Sequence, residues 1–457
     1  MKRIPYFKEF IKYSVLNVLG MLGLSCYILA DTYFVSKGLG TDGLTALNLA
    51  IPVYSFIHGS GLLLGMGGGT RYSIFRSQNK QVKGNEAFTH TLVLALCLAV
   101  VFCLTGVTGA ETLARVLGGE GTVLDMSRTY LRVLLLFSPA FLLNDIIICF
   151  VRNDGAPHLA MVAMLGGSFS NIILDYVFIF PCGMGIFGAV LATGLAPVIS
   201  LGILSPYFIK RKNQFYPVRC SLQGKLCCEI LAGGVPSLVA ELSSGIVIII
   251  FNQIILNLQG NVGVAAYGVI ANLSLVIMAV YTGIAQGIQP LVSRYYGMGR
   301  KEGVRSVLQY AFISIVFISV LIYFGIFFGA DTVTAVFNSE GNRELQAIAV
   351  RGMRIYFTAC IFSGTNIVLS IYFAATDCTR LAGTISVLRG FALIIPITFL
   401  LSWNWGMTGL WLAFPVTELV VAMISGSGYV KKQADHCVLQ INSSAIKEKT
   451  KGTTTGK

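Results

Sequence analysis

The chain has 457 residues, 55% of them hydrophobic and only 12% charged, with a mean hydropathy of +0.76. A soluble globule carries about 25% charged residues, so this composition excludes a water-soluble fold. The formal net charge of +13 would suggest nucleic acid in a soluble chain, but here the basic residues are spread over short loops between apolar runs. A helix rises 1.5 Å per residue, so about 20 apolar residues cross a ~30 Å hydrocarbon layer. Runs of that kind lie near 13–35, 44–70, 88–108, 127–150, 158–180, 186–208, 231–257, 264–288, 307–329, 348–374, 380–402 and 407–429. The expected fold is all-α, a polytopic membrane protein of about twelve transmembrane helices. Fifty glycines suit helices that pack closely in lipid.

The first run follows Lys2, Arg3, Lys8, Glu9 and Lys12 without a small-residue cleavage site, so a signal peptide is not expected. The loops then alternate in charge. Arg71, Arg76, Lys80 and Lys83 fall on one side with Arg152, with Lys210 to Lys225, with Arg294, Arg300, Lys301 and Arg305, with Arg380 and with the tail from Lys431. The other side holds Lys37, Arg115 and Arg343 against Asp42, Glu111, Glu120, Asp125, Asp331, Glu340 and Glu344. Basic loops stay in the cytoplasm, which places both termini there. The eleven cysteines contain no Cys-x-x-Cys pair and read as small core residues rather than metal ligands or disulfides.

The chain repeats itself. Gly40, Ala46, Gly67 and Ser73 align with Gly260, Ala266, Gly287 and Ser293, and Gly185, Gly188, Leu191 and Ala192 with Gly406, Gly409, Leu412 and Ala413. Each half has an even number of spans, so the halves share one orientation, as in a parallel repeat about an axis normal to the membrane. The expected divisions are a first six-helix lobe over 1–209, a cytoplasmic linker over 210–229, a second six-helix lobe over 230–430 and a polar, disordered cytoplasmic tail over 431–457. Two such bundles about a cleft suit a secondary transporter. No phosphate-binding Gly-x-x-x-x-Gly-Lys-Ser/Thr motif and no potassium-type selectivity filter is present.

Acids inside the hydrocarbon layer are costly and default to function. Asp31 lies late in the first run and Asp175 late in the fifth, with Asn171 one turn before it. Counting residues puts both carboxyls roughly 25 Å up from the cytoplasmic end. Thr193 lies about 12 Å in from the outer side on the sixth run, near the height of Asn171. Four oxygen-bearing side chains can therefore meet in the outer half of the first lobe. Such a group serves as a proton carrier or, with its hard oxygens, as a Na⁺ site on Asp31 and Asp175. Asp31 also sits close enough to the surface to be solvated. Glu241 reads as the one deep acid of the second lobe, while Asp145 and Asn144 read as interfacial. Glu241, Tyr27, Tyr54, Tyr176 and Gln286 are candidates to meet a substrate or ion, the tyrosines by cation–π contact.

Several segments, in order and spacing, resemble the multidrug and toxic compound extrusion (MATE) transporters, specifically a bacterial branch. They are Ala30 to Val35 with Gly38-Leu39-Gly40, Arg152 to Pro157, Asn171 to Asp175, Gly188 to Thr193, Gln286 to Leu291, and Arg389 through Pro396 to Ala413. The resemblance implies a MATE-like fold of the MOP superfamily: two parallel six-helix bundles around a cleft. It also implies antiport of drugs, often organic cations, against H⁺ or Na⁺, with no cofactor and no catalytic residues. In that family, the residues matching Asp31, Asn171, Asp175 and Thr193 (two acids, an amide and a hydroxyl) form the coupling-ion site. The implied setting is the lipid bilayer of a bacterial plasma membrane, with a monomeric protein and no nucleic-acid partner. Two departures stand out: no proline near Asn17, where the family bends its first helix, and Ser244 where some members carry a glutamate. The alternatives are a lipid-linked saccharide flippase of the same superfamily, which would need several basic groups in the cleft, and a transport-inactive membrane sensor.

Overall fold

The computed structural model describes residues 4–338 and 341–452, with side chains over 6–338 and 341–430. The side chains of the expected tail, 431–457, therefore all lie outside the described residues. The elements are α1 (Ile4–Ser77), α2 (Gln81–Thr108), α3 (Ala110–Val116), α4 (Gly121–Leu136), α5 (Ser138–Asn153), α6 (Pro157–Ile179), α7 (Gly185–Ile209), α8 (Gly224–Gly297), α9 (Lys301–Phe337), α10 (Arg343–Tyr356), α11 (Cys360–Ala375), α12 (Thr379–Val387) and α13 (Ile394–Gly452). A 3-10 turn over Phe357–Ala359 joins α10 to α11, and a π-helical turn over Leu388–Ala392 follows α12.

At 74 residues, a straight α1 would be about 110 Å long, far more than a bilayer. It folds back instead. Gly40 takes φ 66 and ψ −154, a region open essentially to glycine alone. Tyr27 and Tyr54, nearly equidistant from Gly40, meet with their hydroxyls 2.5 Å apart, so the two arms run antiparallel. The same device recurs in α8 at Gly260 (φ 60, ψ −155), where the rings of Phe251 and Tyr267 stack at 5.4 Å. It recurs again in α13 at Gly406 (φ 54, ψ −134). Among the described residues, eight helices are long and apolar enough to cross a membrane. Three of them fold back on themselves, and the pair α4–α5, bent by 48°, adds one more, which gives the twelve expected spans. Lipid-facing stripes such as Leu96, Val100, Leu104 and Val107 on α2 remain exposed. Trp403 and Trp405, beside the turn at Gly406, are exposed as well, as in an interfacial aromatic belt.

The repeat is written into the backbone. Left-handed residues recur at matching positions of the two halves: Gly40 and Gly260, Asn79 and Gly299, Gly121 and Gly341, Gly155 and Asp377, Gly185 and Gly406. The chain is thus two parallel six-helix bundles. A Cβ at Gly40 would meet no atom within 4 Å, so alanine there is opposed by backbone conformation alone. Gly40→Ala is expected to cost about 1–3 kcal/mol, read as a lower unfolding midpoint in detergent, with Gly260→Ala alike.

The halves touch through α1 and α8, and the contacts cluster at the end that carries the basic loops. Gly67 packs on the carbonyl of Ile230, and Gly234 on that of Leu63. Gly283 packs on Val18 and Gly287 on Ser14. Asn17 Nδ2 donates to the Gly283 carbonyl at 2.9 Å, Asn153 Nδ2 to Gln289 Oε1 at 3.0 Å, and Gln289 Nε2 to Thr70 Oγ1 at 2.8 Å. Ion pairs Arg71–Asp377 and Arg294–Glu9, each at 2.5 Å, close the rim. This seam joins the two halves at the basic end. The connecting segment from Lys210 runs extended along α2, with Val218 N donating to Thr89 Oγ1 and Gln223 N to His90 Nε2, both at 2.9 Å, and α8 begins at Gly224.

Candidate functional site

Three helices of the first half bring the four polar residues together. Asp31 comes from α1, Asn171 and Asp175 from α6, and Thr193 from α7. Asp31 lies nine residues before the turn at Gly40, about 13 Å along the helix. It is only 7% exposed, and Asp175 and Asn171 are fully buried. The expectation that Asp31 is near enough to the surface to be solvated is thus corrected: its helix continues past the first apolar run to Gly40, which carries Asp31 inward. The two carboxyl groups lie within hydrogen-bonding reach of each other. With its amide oriented to satisfy both neighbours, Asn171 Nδ2 donates to Asp175 Oδ2 at 3.0 Å and Asn171 Oδ1 accepts from Thr193 N at 3.2 Å. Thr193 Oγ1 donates to the Ala189 carbonyl at 3.1 Å. One oxygen of each acid, Asp31 Oδ1 and Asp175 Oδ1, is buried without a partner. Two touching carboxylates in a low-dielectric pocket repel, so the pocket suits a proton or a small cation between them.

Tyr130, on α4, joins this cluster: it is 3% exposed, reaches Thr193 by a side-chain hydrogen bond and lies close to Asp31. Sequence reasoning missed it because Arg128 and Arg132 flank it, which suggests a water-facing stretch. The Tyr27–Tyr54 pair extends the polar path toward His58 and Asp145. The Tyr54 ring stacks on His58 at 5.9 Å, and His58 Nδ1 bonds Asp145 Oδ2 at 2.9 Å. The interfacial reading of Asp145 is therefore corrected. Asp145 is 7% exposed, and its carboxyl lies against Gly61, where a Cβ would strike it. Asn144, read as interfacial with it, has a buried, unpartnered Oδ1. Glu241 reaches the same place from the other half, its Cβ facing Gly59. It lies close enough to His58 and Asp145 to feel the charge of both. His58 carried a signal, as an imidazole deep in an apolar run, but its partner lies 87 residues away.

The other candidates lie elsewhere. Tyr176 is 54% exposed and packs on Phe34 and Phe180. Gln286 sits in the seam, where its Oε1 accepts from Arg152 at 3.2 Å. The reading of Glu241 as the one deep acid of the second half is also corrected. Glu418 on α13 is 1% exposed, accepts from Arg389 Nε at 2.9 Å and from Asn366 Nδ2 at 2.7 Å. Its span looked charge-free because a single paired acid hardly changes its hydropathy.

The MatE family model matches residues 18–177 and, a second time, 236–400. The chain belongs to the MatE family. The two matches fall one in each half of this MatE-family chain. It is 26% identical over 420 residues to a multidrug export protein MepA of Staphylococcus saprophyticus subsp. saprophyticus, covering 91% of this chain and 92% of the relative. It is 25% identical over 428 residues to a MepA of Staphylococcus aureus, covering 92% and 93%. Among solved structures, an outward-facing multidrug resistance MATE family transporter of the MOP superfamily superposes with a TM-score of 0.88 at 24% identity, covering 95% of this chain and 98% of that one. A MOP superfamily transporter from Pyrococcus furiosus does so with a TM-score of 0.84 at 24% identity, covering 92% and 94%. The MatE-family chain is thus a multi-pass membrane transporter rather than an enzyme, and needs no cofactor.

Proposed function

We propose that the chain is a multidrug efflux antiporter, exporting organic and often cationic compounds in exchange for H⁺ or Na⁺ by alternating access. The observation that carries this reading is the contact between Asp31 and Asp175, each with a buried oxygen that no protein group satisfies. A proton or a Na⁺ completes that pocket, with Asn171 and Thr193 as its walls. Binding there favours the packing of the first bundle that releases substrate outward, and loss of the ion resets it. A ligand shifts such an equilibrium only by its differential affinity for the two states. The names of the Staphylococcus relatives support drugs as the substrates. We place the protein in a bacterial plasma membrane as a monomer, with both termini and the closed seam on the cytoplasmic side. Proteoliposome efflux of a panel of organic cations, driven in turn by a pH gradient and by a Na⁺ gradient, tests the reading and identifies the coupling ion. Equal efflux with no ion gradient of either kind overturns it.

Substrate would enter the cleft where Glu241 opposes the His58–Asp145 pair, with the tyrosines Tyr54 and Tyr27 nearby. Glu241→Gln removes one negative charge from that floor without changing its shape. The expected result is a rise in KM of roughly tenfold, about 1.4 kcal/mol, for cationic drugs and little change for neutral ones. Initial efflux rates over a concentration series check it. A flippase reading finds little support, because Arg389 is held by Glu418 and Arg152 lies in the seam.

A further inference from the structure

The sequence places Arg152 among the basic loop residues. The structure instead buries it completely, at 1% exposure, in the seam between the two bundles. Helix α5 runs on to Asn153 and turns its last residues inward, which explains the difference. Every hydrogen-bond partner of the guanidinium among the described residues is neutral. Nη1 donates to Asn17 Oδ1 at 2.5 Å and to Gln286 Oε1 at 3.2 Å. Nη2 faces the sulfurs of Met66 at 3.4 Å and Cys149 at 3.5 Å. Nε has no partner. The nearby acid Asp154 is already engaged by Tyr72, Arg76 and Tyr207.

A buried charge without a counter-charge destabilises the state that buries it, because neutral acceptors replace only part of the lost hydration. The partners of Arg152 come from both halves: Asn17, Met66 and Cys149 from the first, Gln286 from the second. Parting the halves breaks the bond to Gln286 and lets water reach the guanidinium. The closed seam is therefore the state that bears the cost, and the open seam relieves it.

We propose that Arg152 is a positioning residue of the transport cycle, whose uncompensated charge keeps the closed seam from becoming a trap. The backbone contacts at Gly67 and Gly234 hold the seam shut, and Arg152 opposes them, so the two access states stay close in free energy. The opposite role is a latch, in which the bonds to Asn17 and Gln286 hold the seam closed. The two roles predict opposite effects of neutralisation.

The test uses the full chain in lipid nanodiscs, with the native cysteines replaced by serine except Cys149, which is buried against Arg152 and is kept, and with spin labels at Lys83→Cys and Lys301→Cys. Both positions are exposed at the basic end, one in each half. Double electron–electron resonance gives the ratio of the short-distance, closed population to the long-distance, open one. Arg152→Met keeps the length of the side chain and removes the charge. It is expected to raise the closed-to-open ratio at least tenfold and to slow turnover. Arg152→Lys keeps the charge and is expected to stay within a few-fold of the parent. Arg152→Gln is the second neutral variant should methionine impair folding. An unchanged ratio in both neutral variants, or a shift toward the open population, overturns the proposal. The readout needs no transport, so it stands apart from the identity of the coupling ion.

Discussion

Asp175→Asn is expected to abolish ion-driven efflux while the protein still folds into the membrane. The substitution keeps the size of the side chain and its bond to Asn171, which can turn its amide to match. What it removes is the group that changes charge. Turning a two-state equilibrium from 1:99 to 99:1 takes about 5.5 kcal/mol of differential affinity, and in this reading the coupling ion supplies it. Without the second carboxyl the pocket neither repels when empty nor gains when filled. Gradient-driven efflux should then fall about a hundredfold or more, by the population reversal that the ion no longer drives. Parallel assays under a pH gradient and a Na⁺ gradient check this, and the variant's drug affinity, measured at equilibrium, should stay near that of the parent. Efflux at the parent's rate under either gradient would remove Asp175 from the mechanism. Asp31→Asn should act in the same direction, since the pocket needs both acids.

The parts of this site visible in the sequence were those fixed by counting along helices. Depth follows from 1.5 Å per residue, which brought Asp31, Asn171, Asp175 and Thr193 to one level before any contact was known. The repeat was visible for a similar reason. Gly40 and Gly260 stand where only glycine takes the required backbone angles, so their spacing marks the same turn in both halves. What counting does not supply is the direction in which a helix faces. Asp145 and Arg152 lie two turns apart on α5, near the basic end, and their spacing suits water as well as it suits a seam. Their burial depends on the bend between α4 and α5 and on the packing of α5 against α1, contacts that join residues some 90 positions apart. Glu418 was hidden by its partners, because Arg389 and Asn366 come from two other helical segments.

Gly67→Ala and Gly234→Ala are expected to hold the seam open. Their added methyl groups would strike carbonyl groups across the seam, those of Ile230 and Leu63. These are backbone atoms of packed helices, so no side chain can swing aside to make room. Overpacking a core ordinarily costs about 1–3 kcal/mol, and a methyl driven into a carbonyl lies at the upper end. At 1.4 kcal/mol per factor of ten, the closed population should fall at least about tenfold, and outward release with it. Gly245→Ala, on α8 like Gly234 but with nothing within 4 Å of its Cβ, should leave transport within about twofold of the parent and so controls for helix propensity. The labels at Lys83→Cys and Lys301→Cys report the effect directly, as a shift toward the longer distance. That shift is opposite in sign to the one expected for Arg152→Met. Combining Arg152→Met with Gly67→Ala should bring the ratio back toward the parent's, because one change removes a force that opens the seam and the other removes the contact that closes it. A double variant as open as Gly67→Ala alone would mean that Arg152 acts only through the geometry that Gly67 permits.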